Sequence, residues 1–192
     1  MPYAWHIKLV SSTAMDPLIA ANRLPELAEG AMRNALLTGL VRGHMTPRAL
    51  VDDALIRFER AVGRETPGGV RPALLFAERD RVVKELRGFI DGRLCARLAA
   101  LHRRDVVAVG RTAAPFDAIV RNRRGRCYAV ALRRLPKDGR RLDILRRMRD
   151  ALGSVKRTPL SGILIYDFAT GVAKVLLNDA GAQRVYCDLR AS

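Results

Sequence analysis

Residues 116–133 read FDAIVRNRRGRCYAVALR, and this stretch decides the architecture. FDAIVR (116–121) and CYAVAL (127–132) are short runs of β-branched, aromatic and small apolar residues, the composition of strands. Between them NRRGR (122–126) is a turn, with Gly125 available for a positive φ, so the two runs predict a β-hairpin. In the second run, alternation puts Tyr128, Val130 and Leu132 on one face and Ala131 with Arg133 on the other.

Outward from the hairpin the pattern continues. VVAVG (106–110) reads as a preceding strand, and before it a long helix is expected from about Pro72 to His102. Its Leu75, Val82, Leu86, Ile90, Leu94, Leu98 and Leu101 recur at steps of three, four or seven. After the hairpin a basic amphipathic helix spans about Asp138 to Leu152, with Leu142, Leu145, Met148 and Leu152 along one side. A strand GILIYDF (162–168), a turn at Thr170–Gly171 and a strand VAKVLL (172–177) complete the series. The order is α-β-β-β-α-β-β, an α/β fold. Ahead of it lie a short strand (3–12) and two helices, about Leu24–Val41 and one that Thr46 and Pro47 open as N-cap and first position. The short link 42–45 makes these helices an αα-hairpin. A helix-turn-helix reader is disfavoured because Asp52 and Asp53, which phosphate repels, open the second helix. ETPGG (65–69) is the clearest linker. The expected division is therefore an extension over 1–64 and an α/β domain over 65–192.

Charge narrows the function. The chain of 192 residues carries a formal net charge of +16. Between Arg93 and Arg149, 17 Arg or Lys face 4 Asp or Glu, so this segment holds +13 of it. Arg outnumbers Lys 30 to 5, a bias that GC-rich coding also produces. Guanidinium groups grip phosphate in a bidentate fork, so nucleic acid is the expected partner, DNA ahead of RNA. Aromatic residues are only 5 %, too few for a base-stacking platform, so any grip falls on the phosphate backbone with weak sequence preference. The expected contacts are Arg121, Arg123, Arg124, Arg126, Arg133, Arg134, Arg140, Arg141, Arg146 and Arg147.

Other classes find little support. No apolar run approaches the ~20 residues of a membrane span, and MPYAWHIKLV lacks the apolar core of a signal peptide. Cys95, Cys127 and Cys187 are scattered and form no CxxC, which argues against a disulfide framework and suits a cytoplasmic protein. His6, His44 and His102 have no metal-ligand spacing, and neither GxxxxGK[ST], GxGxxG nor GxSxG occurs.

Pro115-Phe116-Asp117, opening the second strand of this order, resembles the PD-(D/E)xK nuclease superfamily, the restriction-endonuclease-like folds that include RecB-type nucleases and Holliday-junction resolvases. The resemblance covers about residues 72–178. It implies a mixed sheet flanked by helices, with Asp117 as a Mg²⁺ ligand and an acid and a lysine on the third strand. The matching positions here are Ala131, which offers no oxygen, and Arg133, which stays protonated. The helix after the third strand, LDILRRMRDAL, also lacks the Gln and Tyr of RecB-like members.

The expectation is a nucleic-acid-binding protein with a degenerate, non-catalytic centre of which Asp117 and Arg133 are the remnant, needing no cofactor and acting within a larger nucleoprotein complex or as a homodimer. One alternative is a Mg²⁺-dependent endo- or exonuclease, with Asp117 binding metal and Glu85, Asp143 or Asp167 supplying a displaced acid. Another is an assembly module whose basic face meets an acidic partner.

Overall fold

The computed structural model describes residues 17–42, 46–66, 70–99, 106–108, 116–122, 124–135, 143, 147, 160–177 and 185–186. The expected strand at 3–12, most of the helix at 138–152 and Cys187 lie outside them.

Among the described residues four helices precede the sheet: α1 (Pro17–Arg42), α2 (Pro47–Glu65), α3 (Pro72–Ile90) and α4 (Arg93–Ala99). Helix α1 buries Leu24, Ala28, Ala31, Met32, Ala35, Leu36 and Leu40, a stripe at helical spacing. It starts seven residues before the expected Leu24, with Pro25 inside it. A proline in a helix interior loses one amide donor and strains the preceding turn, so a helix running on through Pro25 goes against the local rule. Helix α2 buries Leu50, Ala54, Phe58 and Val62. Thr46 stands at its N-cap without a side-chain capping bond, and the helix opening relies on Pro47 at the first position. The two helices are antiparallel, as pairs at both ends show: Arg57 donates to Thr38 Oγ1 at 3.2 Å and Arg23 meets Glu65 at 2.8 Å.

The single helix expected over 72–102 is two. Asp91 ends α3 and Gly92 bends the chain, its amide bonding back three residues to the Phe89 carbonyl. Leu94 and Leu98 reach the same core as Leu86 and Phe89, so the apolar spacing crosses the break unchanged and conceals it.

Among the described residues the sheet has six strands in sequential order: β1 (Val106–Ala108), β2 (Ala118–Arg121), β3 (Cys127–Arg133), β4 (Leu160–Asp167), β5 (Val172–Leu177) and β6 (Val185–Tyr186). Neighbours are antiparallel except β3 and β4, which are parallel and so need a crossover, here residues 134–159. Asp143 and Arg147 within it are helical. The β2–β3 turn forms as expected: Gly125 has φ 75°, and Asn122 Oδ1 accepts the amides of Arg124 and Arg126 at 3.0 and 2.9 Å.

The β3 alternation holds. Val130 and Leu132 join Ala118, Val120, Tyr166 and Phe168 against the helices, with half-buried Tyr128 packed on them. Ala129 and Ala131 join Phe116, Cys127, Leu135, Leu160, Ile163 and Ile165 on the other face. The helical side is one core that runs from Leu24 in α1 to Ala173 in β5, across residue 65. Among the described residues no helix is long and apolar enough to cross a membrane.

Candidate functional site

Because β2 runs antiparallel to β3 and β3 parallel to β4, the start of β2 and the ends of β3 and β4 share one end of the sheet. Asp117, Arg133 and Asp167 gather there. Asp117 precedes β2, and its amide donates to the Val130 carbonyl at 2.7 Å, which fixes the residue against β3.

The Asp117 carboxylate is 1 % exposed and fully engaged. Oδ2 accepts the Leu132 amide at 2.7 Å. Arg133 Nη1 donates to Oδ1 at 3.0 Å and to Oδ2 at 3.1 Å. From the helical layer Arg33 of α1 donates to Oδ1 through Nε at 2.9 Å and through Nη2 as well. A buried carboxylate needs such partners, and two guanidinium groups with a backbone amide satisfy it. Sequence reasoning paired Asp117 with Arg133 but missed Arg33, which lies 84 positions away in the αα-hairpin. Its only local signal is Glu29 one turn earlier, 3.9 Å from Arg33 Nη1.

These residues do not fit a divalent cation. Mg²⁺ prefers an oxygen shell, and both Asp117 oxygens already accept from positive groups. Ala131 turns its methyl into the opposite core, at 0 % exposure. Among the described residues no group of three or more His, Cys, Asp or Glu is placed to hold a metal.

Two of the displaced-acid candidates have other tasks. Asp167 is buried, accepting the amides of Leu135 and Ala169 at 3.0 and 3.1 Å and the Thr170 hydroxyl at 2.9 Å, and so holds the β4–β5 turn. Glu85 accepts Arg134 Nε at 2.8 Å, and Asp143 is exposed.

Arg134 was expected on phosphate, and the structure turns it inward. Its Nη1 donates to Glu78 Oε1 at 2.8 Å and to the Pro25 carbonyl at 2.9 Å, while its amide donates to Glu29 Oε2 at 3.0 Å. The chain at the end of β3 packs under α1 and α3, where a guanidinium needs carboxylate partners. Burial works against the Arg134 charge, but the bonds to Glu85 and Glu78 outweigh it and raise the pKa. Burial pushes Glu29 and Glu85 up as well, against the pull of the Arg134 amide on Glu29 and its guanidinium on Glu85. Arg134 Nη2 and the Tyr166 hydroxyl are buried without a hydrogen-bond partner among the described residues.

The remaining expected contacts divide. Arg121, Arg124 and Arg126 are exposed around the β2–β3 turn, and Arg147 is exposed on the crossover. Arg123, Arg140, Arg141 and Arg146 lie outside the described residues. The β2–β3 turn is at the opposite end of β3 from Asp117. Four strand steps separate Asp117 from Arg121, where the turn begins, about 14 Å at ~3.4 Å per residue. The structure therefore keeps the exposed arginines apart from the Asp117 centre. Compared with known proteins, the chain matches no family model, no curated protein and no solved structure.

Proposed function

We propose that this protein binds nucleic acid through its phosphate backbone and has a restriction-endonuclease-like fold whose catalytic centre is degenerate and non-catalytic. Helices followed by three antiparallel strands, a parallel β3–β4 pair whose crossover is helical at Asp143 and Arg147, and Asp117 just before β2 support the fold reading.

One observation carries the functional reading: Arg121, Arg124 and Arg126 are exposed at one hairpin, with no carboxylate at ion-pair distance among the described residues. They belong to the segment of net charge +13, and unpaired arginines this close repel one another until an anion arrives. Asp117, already neutralised by Arg33 and Arg133, supports the non-catalytic part. Asp117 acts as the anchor that ties α1 to the strand ends, and phosphate contact falls to the hairpin arginines.

The test is a titration of labelled duplex and single-stranded oligonucleotides across salt concentrations, with and without Mg²⁺. Binding should weaken steeply with salt, without cleavage. Arg124→Ala with Arg126→Ala should flatten the log–log salt plot on duplex DNA by about 1.8, at ~0.9 per contact. Mg²⁺-dependent cleavage that Asp117→Ala abolishes would favour the nuclease instead. No binding alongside stable self-association would favour the assembly module.

A further inference from the structure

Helices α1 and α2 pack along one side and part along another, leaving an open groove of about 730 Å³. Its floor is small: Gly30 and Ala31 from α1, Ala61 from α2. A Cβ built on Gly30 meets nothing within 4 Å, so the floor is open space rather than a close helix contact.

One wall is a ladder of arginines, Arg57, Arg60 and Arg64, at steps of three and four on a single face of α2. Arg57 is held, donating to Asp53 at 2.8 Å and to Thr38. Arg64 Nε reaches only the Arg60 carbonyl, at 3.2 Å. Among the described residues neither Arg60 nor Arg64 has a carboxylate at ion-pair distance, and both are exposed. Of the two acids in the lining, Glu65 is bound to Arg23 at 2.8 Å, which leaves Glu26 as the opposing charge.

We propose that this groove seats the phosphate backbone of a nucleic-acid single strand, with Arg60 and Arg64 on neighbouring phosphates. The proposal rests on the nucleic-acid reading above and extends it to the αα-hairpin. Two guanidinium forks one helical turn apart, about 5.4 Å, suit successive charges of an extended chain. The groove is a surface cleft flanked by two helices packed about 8–10 Å axis to axis, so a narrow extended strand can follow the arginine wall, whereas a stiff duplex rests on the rims.

The experiment is fluorescence anisotropy on the full chain with labelled oligo(dT) and with a blunt duplex. Arg60→Ala with Arg64→Ala should lower the salt slope on oligo(dT) by about 1.4, at ~0.7 per contact, and leave duplex affinity unchanged. Gly30→Gln retains every charge and fills the floor, and it should weaken oligo(dT) binding alone. If both variants bind oligo(dT) as the wild type does while Arg124→Ala with Arg126→Ala weakens it, the groove proposal falls and the nucleic-acid reading stands. Equal loss on strand and duplex would overturn the groove as well, leaving general surface charge. A wild type that binds neither oligonucleotide overturns both.

Discussion

Asp117 is the residue on which the helical layer and the sheet meet. Its substitution by Asn keeps the shape but leaves Arg33 and Arg133 facing a neutral amide. Breaking a buried ion pair costs about 3–5 kcal/mol, and Arg33, at 31 % exposure, recovers part of its hydration. Urea unfolding of Asp117→Asn should therefore show a loss near ~3 kcal/mol, with nucleic-acid affinity within about twofold of wild type. A loss below ~1 kcal/mol would mean the arginines do not depend on this carboxylate. Glu29 makes a second prediction, through pH. Burial raises its pKa above 4.5, so as pH rises from 4.5 the folded form gives up its proton later than the unfolded chain does. Its contribution is fully present below pH 4.5 and declines as pH rises through the raised value. The stability of wild type minus that of Glu29→Gln should accordingly fall as pH is raised from 4.5, and a rise over that window would contradict the burial argument.

At the scale of elements, the β2–β3 hairpin is specified almost wholly by local chemistry. Asn122 supplies the side-chain acceptor for two turn amides, and Gly125 supplies the left-handed backbone. Gly125→Ala places a Cβ where φ is 75° and should cost about 1–2 kcal/mol by thermal unfolding, although nothing lies within 4 Å to clash. A neutral result would mean the turn relaxes to another type. The helices behave differently. The α3–α4 break at Gly92 is invisible to periodicity because Leu94 and Leu98 still land on the shared core. The opening of α1 before Pro25 is equally hidden, since the proline rule acts on local hydrogen bonds while burial of the stripe from Leu24 to Leu40 acts on the whole helix.

For the whole molecule, the consequence of one core crossing residue 65 is that the αα-hairpin is part of the fold. Met32, Leu36 and Phe58 are completely buried beside Val82, Leu86 and Leu132, and each such side chain contributes about 1.5–3 kcal/mol by burial. A fragment of residues 66–192 should lose cooperative unfolding and expose apolar surface, read by near-ultraviolet circular dichroism and dye binding. A fragment as stable as the full chain would show that α1 and α2 are dispensable. The sequence by itself determined the strand hairpin, its turn, the faces of β3 and the concentration of positive charge, because period-two alternation, turn residues and composition are local quantities. Only the tertiary structure decided that Arg33 answers Asp117, that Arg134 turns inward to Glu78 and Glu85, and that the hairpin arginines stand at the far end of β3 from Asp117. Buried charges choose their partners by where chain segments far apart in sequence come to pack, and no local pattern carries that information.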